Sequence, residues 1–226
     1  MWIWRGKTRP DKSGAQAEAC PTRCVWVFFI AVVACWGAVV DRIAVTVGNQ
    51  VITETEILRE IALTAFMNGD KPVFSPETKR KAADQLVEQK LVRREMEMGR
   101  YPGATPQQAQ ELFDETQKNL GGPEAMKRQL AIDGLTEDDV RQHLLWQLTL
   151  VRFIDLRFRP AIQVTGQDVQ DYYRREIQPK QPVRLQEIRE KIQETLYAQR
   201  ADQMLDEWLK HAKTTTRIVY KKEAFE

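Results

Sequence analysis

Two segments of this chain read as β-strand, and they lie far apart: Asp41 to Thr53 (DRIAVTVGNQVIT) and Thr214 to Tyr220 (TTTRIVY). In the first, Ile43, Val45 and Val47 alternate with Ala44 and Thr46, and Gly48-Asn49-Gln50 turns the chain into Val51-Ile52-Thr53, which predicts a small hairpin. Two strands alone are marginal in water. Arg217 to Tyr220 supplies the third strand, so the expected sheet is antiparallel and joins the two ends of the chain.

Between these segments the apolar positions recur every three or four residues, the helical spacing. Thr53 with Glu56 three residues on is a capping box for a helix through Met67, with Ile57, Leu58, Ile61, Ala62 and Phe66 as its apolar stripe, ended at Asn68-Gly69-Asp70. Ser75-Pro76 starts a helix to about Gly99 with Ala83, Leu86, Val87, Leu91 and Met98 among its buried candidates, and Thr105-Pro106 starts another to Leu120. A short helix from Pro123 ends at Asp133-Gly134. Thr136 caps the next, whose first turn holds Glu137, Asp138 and Asp139, where the helix dipole favours acids. That helix carries Val140, Leu144, Leu148, Val151, Ile154 and Phe158, and Trp146, Leu150 and Phe153 widen its apolar face, which marks it as the central helix.

Pro160 stops the central helix, Thr165 opens a brief helix through Tyr172 and Tyr173, and Gln-Pro-Lys-Gln-Pro at 178–182 forms a short hinge. A long helix follows from Val183 to about Lys213, with Leu185, Ile188, Ile192 and Leu196, then Ala201, Leu205, Trp208 and Ala212. The step of five residues after Leu196 implies that this helix changes packing partner midway.

Ahead of the first strand stands a different pattern. Arg5, Lys7, Arg9, Lys12 and Arg23 precede the apolar run Val25 to Val40, which is shorter than the ~20 residues that span a bilayer and has the order of an export signal. Residues 1–38 therefore read as a signal peptide or an N-terminal anchor, with cleavage after Gly37 or Ala38, or with Val32-Val33-Ala34-Cys35 as a lipobox that would lipidate Cys35. All three cysteines, Cys20, Cys24 and Cys35, fall here, so the remainder has no disulfide and no cysteine-bound zinc. The chain's net charge of +2 rests on the same segment, and residues 41–226 are near neutral, which excludes a general nucleic-acid binder.

The sequence carries no Gly-rich phosphate loop, no Gly-x-Ser-x-Gly elbow and no His-Glu-x-x-His. His143 and His211 lie on separate predicted helices. The acids Asp138-Asp139, Glu187 with Glu190 and Glu194, and Asp202 with Asp206 read as solvated helix faces, Glu187 having Lys191 four residues on as its ion partner. No catalytic, cofactor-binding or metal site is expected. Phe66, Met67, Phe74, Met96 and Met98 form a Met and Phe group around the first helical turn-back, read either as core or as the lining of a groove for apolar segments, since unbranched thioethers adapt to many partners.

The string at 41–53 behind an export signal resembles the start of mature SurA-type periplasmic chaperones. Gln85-Leu86-Val87-Glu88-Gln89-Lys90-Leu91, Leu130-Ala131-Ile132-Asp133-Gly134-Leu135, and Ile162-Gln163-Val164-Thr165 with Asp168-Val169 and Tyr172-Tyr173 resemble successive pieces of that family's N-terminal helical domain, and Ala201 to Tyr220 its C-terminal helix and strand. The resemblance implies a mainly α chaperone core over 39–226, in which 41–176 is the N-terminal helical part, 177–182 a linker and 183–220 the C-terminal helix and strand. It departs from the family at one place: the parvulin prolyl-isomerase domains that sit between those parts are replaced by Glu176 to Pro182. What the resemblance implies is an ATP-independent periplasmic holdase for unfolded outer-membrane or exported polypeptides, without cofactor, a monomer or a dimer swapped through the hinge, and touching a membrane only through the leader or a lipidated Cys35. An isomerase-related protein and a membrane-anchored helical adaptor are the alternatives.

Overall fold

A computed structural model describes residues 41–179 and 183–226; the leader, with Cys35, lies outside the described residues. The chain is mainly helical. Strands β1 (Ile43–Val47) and β2 (Gln50–Thr53) form the hairpin, and α1 (Glu54–Asn68), α2 (Pro76–Gly99), α3 (Pro106–Asn119), α4 (Pro123–Asp133) and α5 (Glu137–Phe158) follow. After a 3-10 turn come α6 (Gly166–Tyr172), a π-helical turn at Tyr173–Ile177, α7 (Leu185–Thr215), β3 (Ile218–Tyr220) and a last 3-10 turn at Lys222–Ala224.

The sheet has the order β2-β1-β3 with both pairings antiparallel, so the two distant segments share a ladder with β1 at its centre. The expected third strand is shorter than its sequence pattern suggests, because α7 continues through Thr215 and takes Thr214 and Thr215 into the helix. The strict alternation expected of β1 also fails at its start. A register shift between Ile43 and Val45 leaves Ile43 43% exposed, while Ala44 and Val45 are fully buried. The C-terminal turn accounts for Ala44: the Lys221 amide donates to its carbonyl at 2.8 Å, and Ala224, itself fully buried, joins the same cluster.

Helix starts follow the local sequence code. Thr53, Thr105, Thr136 and Thr165 each form a complete capping box with the residue three positions on, and Ser75 caps α2 ahead of its proline. Gly69 and Gly134 close α1 and α4 in the left-handed conformation that a side chain resists. Helix α2 ends differently. Gly99 stays helical and Arg100 takes the left-handed position at φ 53°. Gly99 is required there for space, since a Cβ on it would sit 2.4 Å from the Tyr101 ring.

Three apolar clusters hold these elements. The first joins the sheet to the first halves of α1 and α2, with Trp208, Ile218, Tyr220 and Phe225 packed on it. The second joins the end of α1 to α3, α4 and the start of α5 around Phe113, Met126 and Leu144. The third joins the end of α2 to α5 and α7, where Phe153 is fully buried and meets Tyr101, Phe158 and Trp208 edge-on at ring separations of 5.5, 5.9 and 5.9 Å. Helix α5 is thus shared by two clusters, as its broad apolar face implies. One member of its expected stripe, Val151, is instead 60% exposed, because neighbours cover only part of that face. Helix α7 does change partner along its length, packing on α6 with its first part and on α5 and α2 with its second.

Candidate functional site

The connection between α1 and α2 is short and fixed at both ends. Gly69 donates its amide to Ala65 and Phe66, and Ser75 accepts from the Thr78 amide at 3.1 Å. The residues between are carried outward, leaving Val73 62% and Phe74 50% exposed. Large apolar side chains on a capped loop gain nothing by facing water. An open groove of about 300 Å³ lies on one side, walled by Leu58, Ala62, Phe74 and Leu135 with Arg59 and Asp133 at its edge. A second groove of about 280 Å³ lies on the other, walled by Ile61, Ala65, Val73 and Ala82 with Lys71 and Lys81 beside them. Leu58, expected in the buried stripe of α1, is partly exposed and forms a wall of the first groove.

The five residues of the Met and Phe group do not converge. Phe66 is buried in the second cluster with Met67 packed against it, and Met96 is buried in the third. Met98 was expected inside and is 64% exposed, in a separate groove between the end of α2 and the end of α7 that Trp208 also lines. Phe74 alone of the five borders the paired grooves around the loop. Val73, its sequence neighbour, escapes a periodicity argument because it belongs to no helix.

A further opening has no counterpart in any local pattern. A crevice of about 190 Å³ lies where α1, α2, α5 and α7 meet. Its walls are Val92, Trp146, Leu150, Leu205 and Leu209, and its polar lining is Glu60, Gln85, Glu88, Gln89 and His143. Glu88 is held by Lys213 at 2.6 Å. Glu60 accepts one long hydrogen bond from Gln89 Nε2 at 3.4 Å and has no ion-pair partner among the described residues. Burial raises the Glu60 carboxyl above its ordinary range and lowers the His143 imidazole below its own. His143 Nε2 lies 2.9 Å from Gln147 Nε2, a contact within its own helix.

Three further acids are held by nearby partners. Asp139 closes the Thr136 capping box and faces Arg59 at 3.4 Å. Asp168 closes the Thr165 box and meets Arg200 of α7 at 2.9 Å; hydrogen bonds from the Thr165 backbone and hydroxyl, then from Arg200, lower its carboxyl to about 2. Glu187 pairs with Arg184 instead of Lys191, because Arg184 precedes α7 and folds back onto its first turn. His211 is exposed, and its carbonyl accepts from Thr214 and Thr215. Among the described residues no group of three or more His, Cys, Asp or Glu side chains is placed to hold a metal, and no helix is long and apolar enough to cross a membrane.

No protein-family model matches the chain, and no curated protein matches it either.

Proposed function

We propose that this chain is an exported, ATP-independent holdase of the SurA type, reduced to the chaperone core, which binds unfolded outer-membrane or other exported polypeptides in the periplasm. The observation that carries the reading is the α1–α2 loop, where Val73 and Phe74 stand exposed between two open, apolar-walled grooves. Burial of client side chains there is non-directional and scales with area, which suits many clients and release without a nucleotide. Charged groups at the groove edges, Arg59 and Asp133 on one side and Lys71 and Lys81 on the other, keep polar flanks of a client wet. The sheet shared by the chain's first and last strands, with seven helices between them among the described residues, supports the family resemblance carried by the sequence strings. In the sequence only seven residues, 178–184, separate the turn at Tyr173–Ile177 from α7, where the family resemblance would place a parvulin domain.

The test is aggregation of a denatured outer-membrane protein followed by light scattering. The chain suppresses scattering at near-stoichiometric ratio, and Val73→Ser with Phe74→Ser removes most of that effect while leaving the circular dichroism spectrum and melting temperature intact. Absence of suppression by the unsubstituted chain refutes the proposal.

A further inference from the structure

The crevice between α1, α2, α5 and α7 combines two properties that a purely apolar groove lacks. Val92 of α2, Trp146 and Leu150 of α5 and Leu205 and Leu209 of α7 give it apolar walls, and its α1 side carries the Glu60 carboxylate, which has no cation partner among the described residues. A partly buried carboxylate without a cation is costly, because water is withdrawn and no opposite charge replaces it. The neighbouring groups do not relieve it. Lys213, the nearby cation of α7, is committed to Glu88, and Lys90 of α2 is directed to Glu56, one turn earlier on α1, at 3.5 Å. Burial lowers the His143 imidazole of α5 below its ordinary range, which disfavours its cationic form. Gln85 and Gln89 offer dipoles only.

We propose that this crevice is a specificity pocket for one cationic side chain, lysine or arginine, of a bound polypeptide, with the apolar stem lying against Trp146, Leu150 and Leu205 and the charged end paired with Glu60. Its volume of about 190 Å³ is below the ~300 Å³ of ordinary small-molecule sites and accommodates one side chain. Long basic side chains suit such a site because they bury their methylene stems and keep only the head polar. The proposal deepens the holdase reading and rests on it for the nature of the ligand: a client would be held by apolar contacts at the α1–α2 loop and given a preferred register by one basic residue here.

The experiment uses the full chain and two fluorescein-labelled ten-residue peptides of leucine and serine, identical except for one central lysine or norleucine, with binding read by fluorescence anisotropy. Expected is a lysine peptide bound about fivefold tighter, the scale of one ion pair near a protein surface. Glu60→Gln abolishes the difference, and Glu111→Gln, an exposed acid on α3, preserves it. Leu205→Lys, which tethers an ammonium in the crevice, also abolishes it and covers the case in which Glu60→Gln disturbs folding. Equal binding of the two peptides, binding of neither, or a preference that survives Glu60→Gln overturns the inference. Suppressed aggregation without a lysine preference removes the pocket and leaves the holdase standing; a Glu60-dependent preference without suppressed aggregation does the reverse.

Discussion

The sheet end of the molecule and the crevice between α1, α2, α5 and α7 are built from similar residues and reach opposite outcomes. At the sheet, Val45 is fully buried at the centre of the ladder, and Ala224 plugs the turn beside it. The Tyr220 hydroxyl donates to Asp84 at 2.5 Å, and the Arg80 guanidinium lies 3.5 Å from the Tyr220 ring centre while its Nε faces Asp84 at 3.5 Å. At the crevice, Val92, Trp146 and Leu209 are buried in the walls, yet Glu60 in front of them has one long hydrogen bond from Gln89 and no ion-pair partner among the described residues. The first region spends its polar groups on closing the fold. The second leaves the Glu60 carboxylate without a cation among the described residues.

Substitutions should separate the two regions by size and then by sign. The largest effect is expected from Val45→Asp, which places an unpaired charge in the fully buried centre of the sheet; a loss of more than about 4 kcal/mol by urea denaturation is expected, enough to leave little cooperative unfolding. Retained stability would show that the joined ends are not what holds the fold closed. Gly99→Ala tests the wall behind the crevice, since its Cβ must displace the Tyr101 ring from Phe153. A cost of about 1–3 kcal/mol is expected from that overpacking, with a changed near-ultraviolet dichroism from the aromatic cluster.

Tyr220→Phe removes a single hydrogen bond from the closed region and should cost about 1 kcal/mol at neutral pH. Burial, and then the Asp84 bond, push the Tyr220 phenol above its ordinary 10.0. A raised pKa means that its stabilising contribution is intact below pH 10 and is lost as the pH rises toward the folded value. The unsubstituted chain should therefore lose melting temperature in alkali more steeply than Tyr220→Phe does. Glu60→Gln should give the smallest effect and the opposite sign. Because burial raises the Glu60 carboxyl above its usual 4.5, the charged form that prevails at neutral pH is the less favourable one in the folded chain. The variant should melt higher at pH 7, and its advantage should fade as the pH falls from the raised folded value toward 4.5, below which Glu60 is protonated in both states. A lower melting temperature at pH 7 would show that Glu60 has a stabilising partner and would remove the contrast between the two regions.

Much of the fold was written locally. Thr53 with Glu56, Thr136 with Asp139 and Thr165 with Asp168 announce helix starts because the cap and its acceptor are three residues apart and answer each other without help from the rest of the chain. The class, mainly helical with a small sheet joining the ends, followed from the same kind of reading, since period and punctuation are local properties. Burial was less legible. Val151 and Met98 lie on apolar faces and are nonetheless exposed, because periodicity says which side of a helix is apolar and not how far a neighbour extends over it. The C-terminal turn with Ala224 and Phe225 showed no period to read, and its burial depends on β1, some 180 residues earlier in the chain. The loop bearing Val73 and Phe74 was half visible, through the aromatic residue alone.

By itself, then, the sequence determined where most helices begin and that the two terminal strands could pair, because those features depend on bonds and spacings within a few residues. Only the tertiary structure decided that Glu60 of α1, His143 of α5 and Leu205 of α7 share one crevice and that the cations beside Glu60 are committed elsewhere. The state of a charge depends on every group that surrounds it, and here those groups come from four helices separated by up to 149 positions between Glu60 and Leu209.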